Sequence, residues 1–170
     1  IRRMLTLTLV LPLGQPTPGT EFAYVLSARD GEVAAHGVAP LATLPQANLL
    51  VAVVPAQAVS WHAVAMPPLP PGRQRAALEG LLEEHLLDEP AQLAFAQAPW
   101  RLAKGNVLVA AFERRWIGAL VALFENADRP IGRLVAEFSP QPDGVHPTRW
   151  HVTGTAHDPR LVVVRSDGVL

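Results

Sequence analysis

Leucine occupies every second position from Leu5 to Leu11. This period of two predicts a first strand over residues 4–11 with one buried face. Two further runs, residues 22–26 and 33–37, flank the dipeptide Asp30-Gly31. Because this dipeptide supplies the positive φ angles of a tight hairpin turn, we expect the second and third strands to pair antiparallel.

An unbroken apolar run follows at residues 49–54, after one short helical turn within residues 40–47. Such a run predicts a central strand covered on both faces. The first part of the chain therefore has the predicted order β-β-β-α-β.

The middle of the chain begins with a predicted strand over residues 59–66, which a proline cluster ends because proline cannot donate to a ladder. A helix is predicted over residues 72–87, and Pro90 ends it. Its apolar face consists of Leu78, Leu81, Leu82 and Leu86. Acidic residues lie on the flanks of this helix, as expected for an amphipathic surface helix.

Residues 93–97 and 106–112 predict a hairpin, and residues 113–126 a second amphipathic helix. Its inward residues are expected to be Trp116, Ile117, Leu120, Leu123 and Phe124. A short strand over residues 132–137 returns from this β-α-β-β-α module. Residues 139–147 have the Pro, Gly and Asp content of a linker.

The last segment predicts strands over residues 150–153 and 160–165, joined by a turn that contains Pro159. Two strands are too few for an independent core, so we expect this segment to begin a further lobe.

Composition narrows the functional classes. The 170 residues are 49% hydrophobic, and the formal net charge is −1 with scattered basic residues, which disfavours a nucleic-acid partner. The chain has no cysteine, which excludes disulfides, thiolate zinc sites and cysteine nucleophiles and fits a cytoplasmic location. Its apolar runs are far shorter than the roughly 20 residues of a membrane-spanning helix. Because it begins at Ile1, we expect a longer parent protein.

The sequence offers no catalytic constellation. His146, His151 and His157 lack the spacing of metal ligands and are interpreted as surface histidines. Neither a G-x-S-x-G nor an S-x-x-K motif is present. The glycine-containing loop at residues 14–19 also contains prolines, which donate no backbone hydrogen bonds to a phosphate. We therefore predict no catalytic residue, no metal and no cofactor.

With catalytic, metal and cofactor sites not predicted, the remaining candidate sites are surfaces that bind a protein partner. The outer flank of the predicted 72–87 helix and the turn after it could bind a basic partner, although the same charges also fit a solvated helix face. The residues proposed for this surface are Arg73, Glu79, Glu83, Glu84, Asp88 and Glu89. An edge strand such as residues 59–66 could instead accept a partner strand.

The chain contains three consecutive patterns, which are LLVAVVPAQAVSWHAVAMPPLP at residues 49–70, RQRAALEGLLEEHLLDEPAQLAFAQ at residues 73–97, and NVLVAAFERRWIGALVALFENADRPIGRLVAEFSP at residues 106–140. In this order they resemble type II secretion system protein L and, more distantly, type IV pilus assembly protein M. The second contains an acidic pair, a leucine pair and a D-x-P pattern. The order and spacing of the three patterns over about half the chain carry the resemblance.

The resemblance implies a truncated, degenerate α/β fold of the actin-like ATPase, ribonuclease-H-like type, with mixed sheets and packed helices. Its implied divisions are residues 1–55 as the first actin-like subdomain, 56–138 as the inserted module with its return strand, and 139–170 as a linker and the start of a further subdomain. Active members of that superfamily place an Asp directly after strand one. This chain has Leu11-Pro12-Leu13-Gly14 there, so nucleotide hydrolysis is not expected.

The function implied by the resemblance is that of a scaffold and not an enzyme. Protein L recruits the amino-terminal domain of the secretion ATPase, protein E, and contacts protein M and other inner-membrane platform components through its other parts. The implied location is the cytoplasmic face of the bacterial inner membrane, with the parent anchored by a transmembrane helix outside this chain. The alternatives are a nucleotide-binding actin-like ATPase related to protein M, and self-association as a homodimer through an exposed strand edge.

Overall fold

The computed structural model describes residues 4–83, 86, 89–102, 105–141 and 148–170. The chain forms two compact units. Unit 1 comprises residues 1–58 and 115–137, and unit 2 comprises residues 59–114 and 138–170. The strands and helices in chain order are β1 (Leu5–Val10), β2 (Glu21–Ala28), β3 (Val33–Pro40), β4 (Leu49–Val54), β5 (Ser60–Val64), α1 (Pro71–Leu82), β6 (Leu93–Arg101), β7 (Val107–Glu113), α2 (Arg114–Asn126), β8 (Arg133–Ala136), β9 (Thr148–Thr155) and β10 (Asp158–Arg165).

Unit 1 contains a five-stranded mixed sheet in the order β3-β2-β1-β4-β8. The β1, β2 and β3 strands are antiparallel neighbours, whereas β1, β4 and β8 run parallel. The predicted antiparallel hairpin between β2 and β3 is confirmed. Gly31 has a φ of 86° in its turn, a conformation that glycine adopts without the steric cost of a side chain.

The core of unit 1 lies between this sheet and α2. The leucine alternation of β1 is confirmed, because Leu7 and Leu9 are fully buried. Helix α2 buries Trp116, Ile117, Leu120 and Phe124, and Leu123 is half-buried. The rings of Phe22 and Phe124 meet edge to face with centroids 5.1 Å apart, in the arrangement that aromatic quadrupoles favour.

Strand β4 differs from its prediction in one respect. Leu50, Ala52 and Val54 are buried, whereas the residues between them are half-buried. The strand is interior to the sheet, as expected, but only one of its faces is fully covered. An apolar run indicates that a strand has other strands on both sides. It does not indicate how completely each face of that strand is covered.

Unit 2 contains the three-stranded antiparallel sheet β5-β7-β6. The predicted hairpin between β6 and β7 is therefore confirmed, and β5 lies at an edge of this sheet. Helix α1 packs against the sheet through a cluster of buried residues. Its members are Val64, Met66, Leu78, Leu82, Val107 and Val109, with Leu86 and Phe95 packed at its margin.

Helix α1 ends earlier than predicted. It extends from Pro71 to Leu82, and residues 84, 85, 87 and 88 lie outside the described part of the chain. Leu81, predicted on the apolar face, is 37% exposed. The helical geometry centres that face on Leu78 and Leu82, which are one turn apart, and leaves Leu81 at its border.

Unit 2 also contains a two-stranded antiparallel ribbon, β9–β10. Pro159 was predicted in the connecting turn but lies in β10, where it is paired with Gly154. The turn is formed by Ala156 and His157. Proline has no N–H to donate to a neighbouring strand, but a strand at a sheet edge, such as β10 of this two-stranded ribbon, can accommodate it. Among the described residues, no helix is long and apolar enough to cross a membrane.

Candidate functional site

The candidate partner-binding surface is built on α1. Pro71 lies at the first helical position, where its missing N–H would have no intrahelical acceptor and its fixed φ favours the helix. The Arg73 amide then donates to the Pro70 carbonyl oxygen at 2.9 Å. With Leu78 and Leu82 buried in the unit 2 core, the charged residues of the helix occupy its outer flank.

Glu79 does not project freely from this flank. Its Oε1 accepts a hydrogen bond from Arg75 Nε at 2.9 Å and lies 3.9 Å from Arg114 Nη2. Arg114 in turn donates through Nε and Nη2 to the Leu93 carbonyl oxygen at 3.1 and 2.7 Å. Glu79 thus lies beside the Arg114 guanidinium, which is itself bonded to the Leu93 carbonyl oxygen, and its half-buried carboxylate has a structural role.

The other predicted residues of the surface lie in three different situations. Arg73 and Glu83 are exposed, at opposite ends of α1. Glu89 is exposed and precedes a 3₁₀ turn at Pro90–Gln92, where its carbonyl oxygen accepts the Gln92 amide at 2.8 Å. Glu84 and Asp88 lie outside the described residues. No observation tests whether these six residues bind a partner, so the surface stays a prediction.

Glu83 occupies an electrostatically unfavourable position. It follows Leu82, the last residue of α1, whose carbonyl oxygen accepts the Leu86 amide at 3.0 Å, and the aligned peptide dipoles give this end of the helix a partial negative charge. An acidic side chain there costs about 0.3–1 kcal/mol, whereas a basic side chain would be favourable. A positively charged partner would relieve this repulsion.

The carboxyl ends of the parallel strands in unit 1 form a second candidate site, because open α/β sheets bind ligands there. After β1, the Pro12 carbonyl oxygen accepts a hydrogen bond from Trp116 Nε1 at 3.0 Å. After β4 and β8, Glu137 Oε2 accepts the Ala56 amide at 3.0 Å. The one carboxylate that directly follows these three strands is therefore engaged by the backbone.

An open cleft at the opposite, amino ends of β4 and β8 was not foreseen. It has a volume of about 150 Å³ and is lined by Gln46, Ala47, Asn48, Leu50, Asp128, Arg129 and Pro130. Arg129 donates to the carbonyl oxygens of Leu41 at 3.2 Å and Leu44 at 2.8 Å, and also to that of Pro45. Burial of the guanidinium lowers the pKa of Arg129.

Arg129 therefore fixes the segment before β4. Asp128, two positions after the last residue of α2, has a left-handed φ of 54°, which Asp tolerates better than most residues, and it marks a tight exit from the helix. Among the described residues, no group of three or more His, Cys, Asp and Glu side chains could hold a metal ion.

No protein-family model and no curated protein matches this chain. Solved structures share its fold, and they include the two that follow. The cytoplasmic domain of EpsL, an inner-membrane component of the type II secretion system of Vibrio cholerae, matches with a TM-score of 0.71 and 16% identity over 98% of this chain and 70% of that one. A chain of the PilM-PilN type IV pilus biogenesis complex matches with a TM-score of 0.52 and 16% identity, over 97% of this chain and 59% of that one.

These likenesses confirm the predicted fold class. The chain has an α/β fold of the actin-like type, with mixed sheets and packed helices, and it is similar to the EpsL cytoplasmic domain over nearly its whole length. The predicted resemblance to protein L and the pilus protein M is thus confirmed at the level of the fold.

Proposed function

We propose that this chain is a non-enzymatic scaffold of a type II secretion system, which recruits the secretion ATPase to the inner-membrane platform for protein export. The observation that carries the proposal is the fold shared with the EpsL cytoplasmic domain over 98% of this chain. The parent protein would be located at the inner membrane with this part on the cytoplasmic side. Protein M and other platform components would contact the parent outside this chain.

The outer flank of α1 is the proposed contact with the amino-terminal domain of the ATPase. Glu83 and Glu89 are exposed, and Glu83 lies where a helix end already carries partial negative charge. Both features favour a basic partner. Glu79, held by Arg75 and near Arg114, would keep the flank in place and make a smaller direct contribution.

The ends of the parallel strands support a scaffold in preference to a hydrolase. An actin-like hydrolase needs an acidic residue and exposed backbone donors after its first strand, and this chain has Leu11-Pro12-Leu13-Gly14 there. The Pro12 carbonyl oxygen is bonded to Trp116, and the Glu137 carboxylate is bonded to the Ala56 amide. These groups already make contacts that stabilise unit 1.

Calorimetric titration of the chain with the amino-terminal domain of the secretion ATPase from the same organism tests the proposal. We expect saturable heat from the protein partner. The absence of binding at concentrations well above the micromolar range would contradict recruitment by this chain.

Magnesium-ATP, titrated alone, tests the alternative of a nucleotide-binding actin-like ATPase. That alternative draws on the likeness to a chain of the PilM-PilN complex. A bound nucleotide would stabilise the fold by about 2.7 kcal/mol when its concentration is about 100 times the Kd. We expect neither heat nor a shift in Tm. Nucleotide binding without protein binding would favour the ATPase alternative.

A further inference from the structure

The cleft at the amino ends of β4 and β8 lies within unit 1 and has room for a small molecule. Its volume is about 150 Å³. A protein cavity of about this volume holds benzene, whereas pockets for drug-sized ligands measure about 300–1,000 Å³. The polar side chains that line the cleft are two carboxamides, a carboxylate and a guanidinium, from Gln46, Asn48, Asp128 and Arg129. The cleft therefore suits a small polar ligand.

Arg129 retains unused donors after it has fixed the segment before β4. Its guanidinium donates to two carbonyl oxygens through Nη1 and to one through Nη2. Arg129 Nε has no hydrogen-bond partner among the described residues, and it does not belong to their buried unbonded polar atoms, so solvent reaches it. Nε and Nη2 share one edge of the planar fork, and such an edge can bind a carboxylate through two parallel hydrogen bonds. This edge of Arg129 is available to a ligand.

The charge of Arg129 lacks a counter-ion. Within the described part of the chain no Asp or Glu forms an ion pair with it, although its side chain is half-buried. Burial lowers the pKa of its guanidinium, and no neighbouring carboxylate raises that pKa. Buried charges in proteins are normally paired. A ligand carboxylate would supply the missing partner.

Asn48 adds a donor whose position is fixed. Its Oδ1 accepts the Leu5 amide at 2.8 Å, and its backbone amide donates to the Leu5 carbonyl oxygen at 2.9 Å. These two bonds tie Asn48 to β1 and orient its carboxamide. Its Nδ2 makes no hydrogen bond to any described residue, so it is left as a donor to a ligand.

Asp128 contributes the opposite charge to the same cleft. Its side chain is exposed and lines the cleft. Its carboxylate forms no hydrogen bond and no ion pair with a described residue, and this includes its sequence neighbour Arg129. The cleft therefore presents a cation and an anion that do not neutralise each other.

We propose that this cleft binds a small zwitterion, an α-amino acid, whose carboxylate contacts Arg129 and Asn48 and whose ammonium contacts Asp128. A simple anion would be attracted by Arg129 and repelled by Asp128, and a simple amine would meet the reverse. A ligand that carries both charges satisfies both residues. Charge-assisted hydrogen bonds are also about twice as strong as neutral ones. This proposal goes beyond the scaffold function and does not depend on it.

Titration of the complete isotope-labelled chain with L-alanine at neutral pH, followed through its amide NMR signals, tests the proposal. Propionate and ethylamine are the matched probes, because each keeps one of the two charges of alanine. We expect L-alanine to shift the amide signals of residues 46–50, 128 and 129 saturably, with a Kd of about 1 mM. Propionate and ethylamine should each bind at least about fivefold more weakly.

Asp128→Asn removes the negative charge and keeps a residue that tolerates the left-handed φ of 54° at this position. Glu125→Gln is the matched control, because Glu125 is exposed near the end of α2 and does not line the cleft. We expect Asp128→Asn to bind L-alanine at least about fivefold more weakly and propionate more tightly than wild type, so that the preference between them is lost. Glu125→Gln should bind both ligands as the wild type does.

Three results would overturn the proposal. The first is the absence of saturable shifts in the cleft amides at up to about 50 mM L-alanine. The second is binding of propionate or ethylamine to the wild type as tightly as L-alanine, which would show that one charge of the ligand is not recognised. The third is an equal effect of Asp128→Asn and Glu125→Gln on the affinity for L-alanine. The first two use the wild-type chain and so do not depend on the folding of a variant.

Discussion

Arg129 holds together segments that are distant in sequence. Its guanidinium binds carbonyl oxygens that lie 88, 85 and 84 positions earlier in the chain. A planar fork with several fixed donors can serve three carbonyl groups at once, which a lysine ammonium on a flexible stem cannot do in the same geometry.

Replacement of this guanidinium should destabilise unit 1. We expect Arg129→Lys to lower the free energy of unfolding by about 1–3 kcal/mol, because partly buried carbonyl groups lose their donors. Urea unfolding measures the change. Arg133→Lys is the control, since Arg133 is exposed in β8. Equal stability of the two variants would show that the carbonyl groups find other partners at little cost.

Residue-scale features of this kind were not predictable. Nothing in the local sequence connects Arg129 to the segment that contains Leu41 and Leu44. The same holds for Glu79, which was proposed as a partner-binding residue on helical spacing. Its pairing with Arg75 follows from an i, i+4 spacing, but its proximity to Arg114 depends on the packing of the folded chain.

At the scale of elements, α1 is held by a narrow apolar stripe. Leu82 is fully buried in the unit 2 core, whereas its neighbour Leu81 is 37% exposed. We expect Leu82→Ala to cost about 2–5 kcal/mol of unfolding free energy, because it removes buried contacts and leaves a cavity. Leu81→Ala should cost well under half as much. Thermal or urea unfolding would contradict this picture if the two variants were equally destabilised.

The β9–β10 hairpin depends on the backbone conformation of Gly154. Its φ is 87°, and a Cβ added there would collide with the Asp158 carbonyl oxygen. We expect Gly154→Ala to destabilise the hairpin by more than about 1 kcal/mol, because alanine is strained at positive φ. Hydrogen exchange of the β9 and β10 amides reports this locally. Gly14→Ala, where the added Cβ meets no atom within 4 Å, is the control and should leave that exchange unchanged.

Patterns with a strict period predicted elements well. The leucine alternation of β1, the Asp30-Gly31 turn and the buried stripe of α2 are all present in the structure. The end of α1 and the uneven burial of β4 were not predicted, because they depend on what packs against each element. The periodicity of a segment is a property of its own sequence, whereas the burial of its residues depends on what packs against them.

At the scale of the whole molecule, elements that follow one another in the sequence do not all belong to the same compact unit. The sequence grouped the 113–126 helix with the module of residues 56–138. In the structure, residues 115–137 belong to the same compact unit as residues 1–58. The predicted boundaries at residues 55 and 138 describe subdomains implied by the family resemblance, and they stay predictions.

The scaffold account makes its most specific claim about the outer flank of α1. Glu83 and Glu89 are exposed carboxylates there, and each would gain up to about 1 kcal/mol from a basic partner residue. Long-range attraction of this kind acts mainly on the association rate and weakens as salt increases.

The most direct measurement is therefore the affinity of the double variant Glu83→Lys/Glu89→Lys for the amino-terminal domain of the secretion ATPase, at low and at high salt. Glu21→Lys/Glu125→Lys, which reverses two exposed carboxylates of unit 1, is the matched control. We expect the first variant to bind about tenfold more weakly than wild type at low salt, through a slower association rate, with a smaller difference at high salt. The control should bind as the wild type does. Equal affinities for both variants, or an equal loss in both, would contradict the assignment of the partner site to α1.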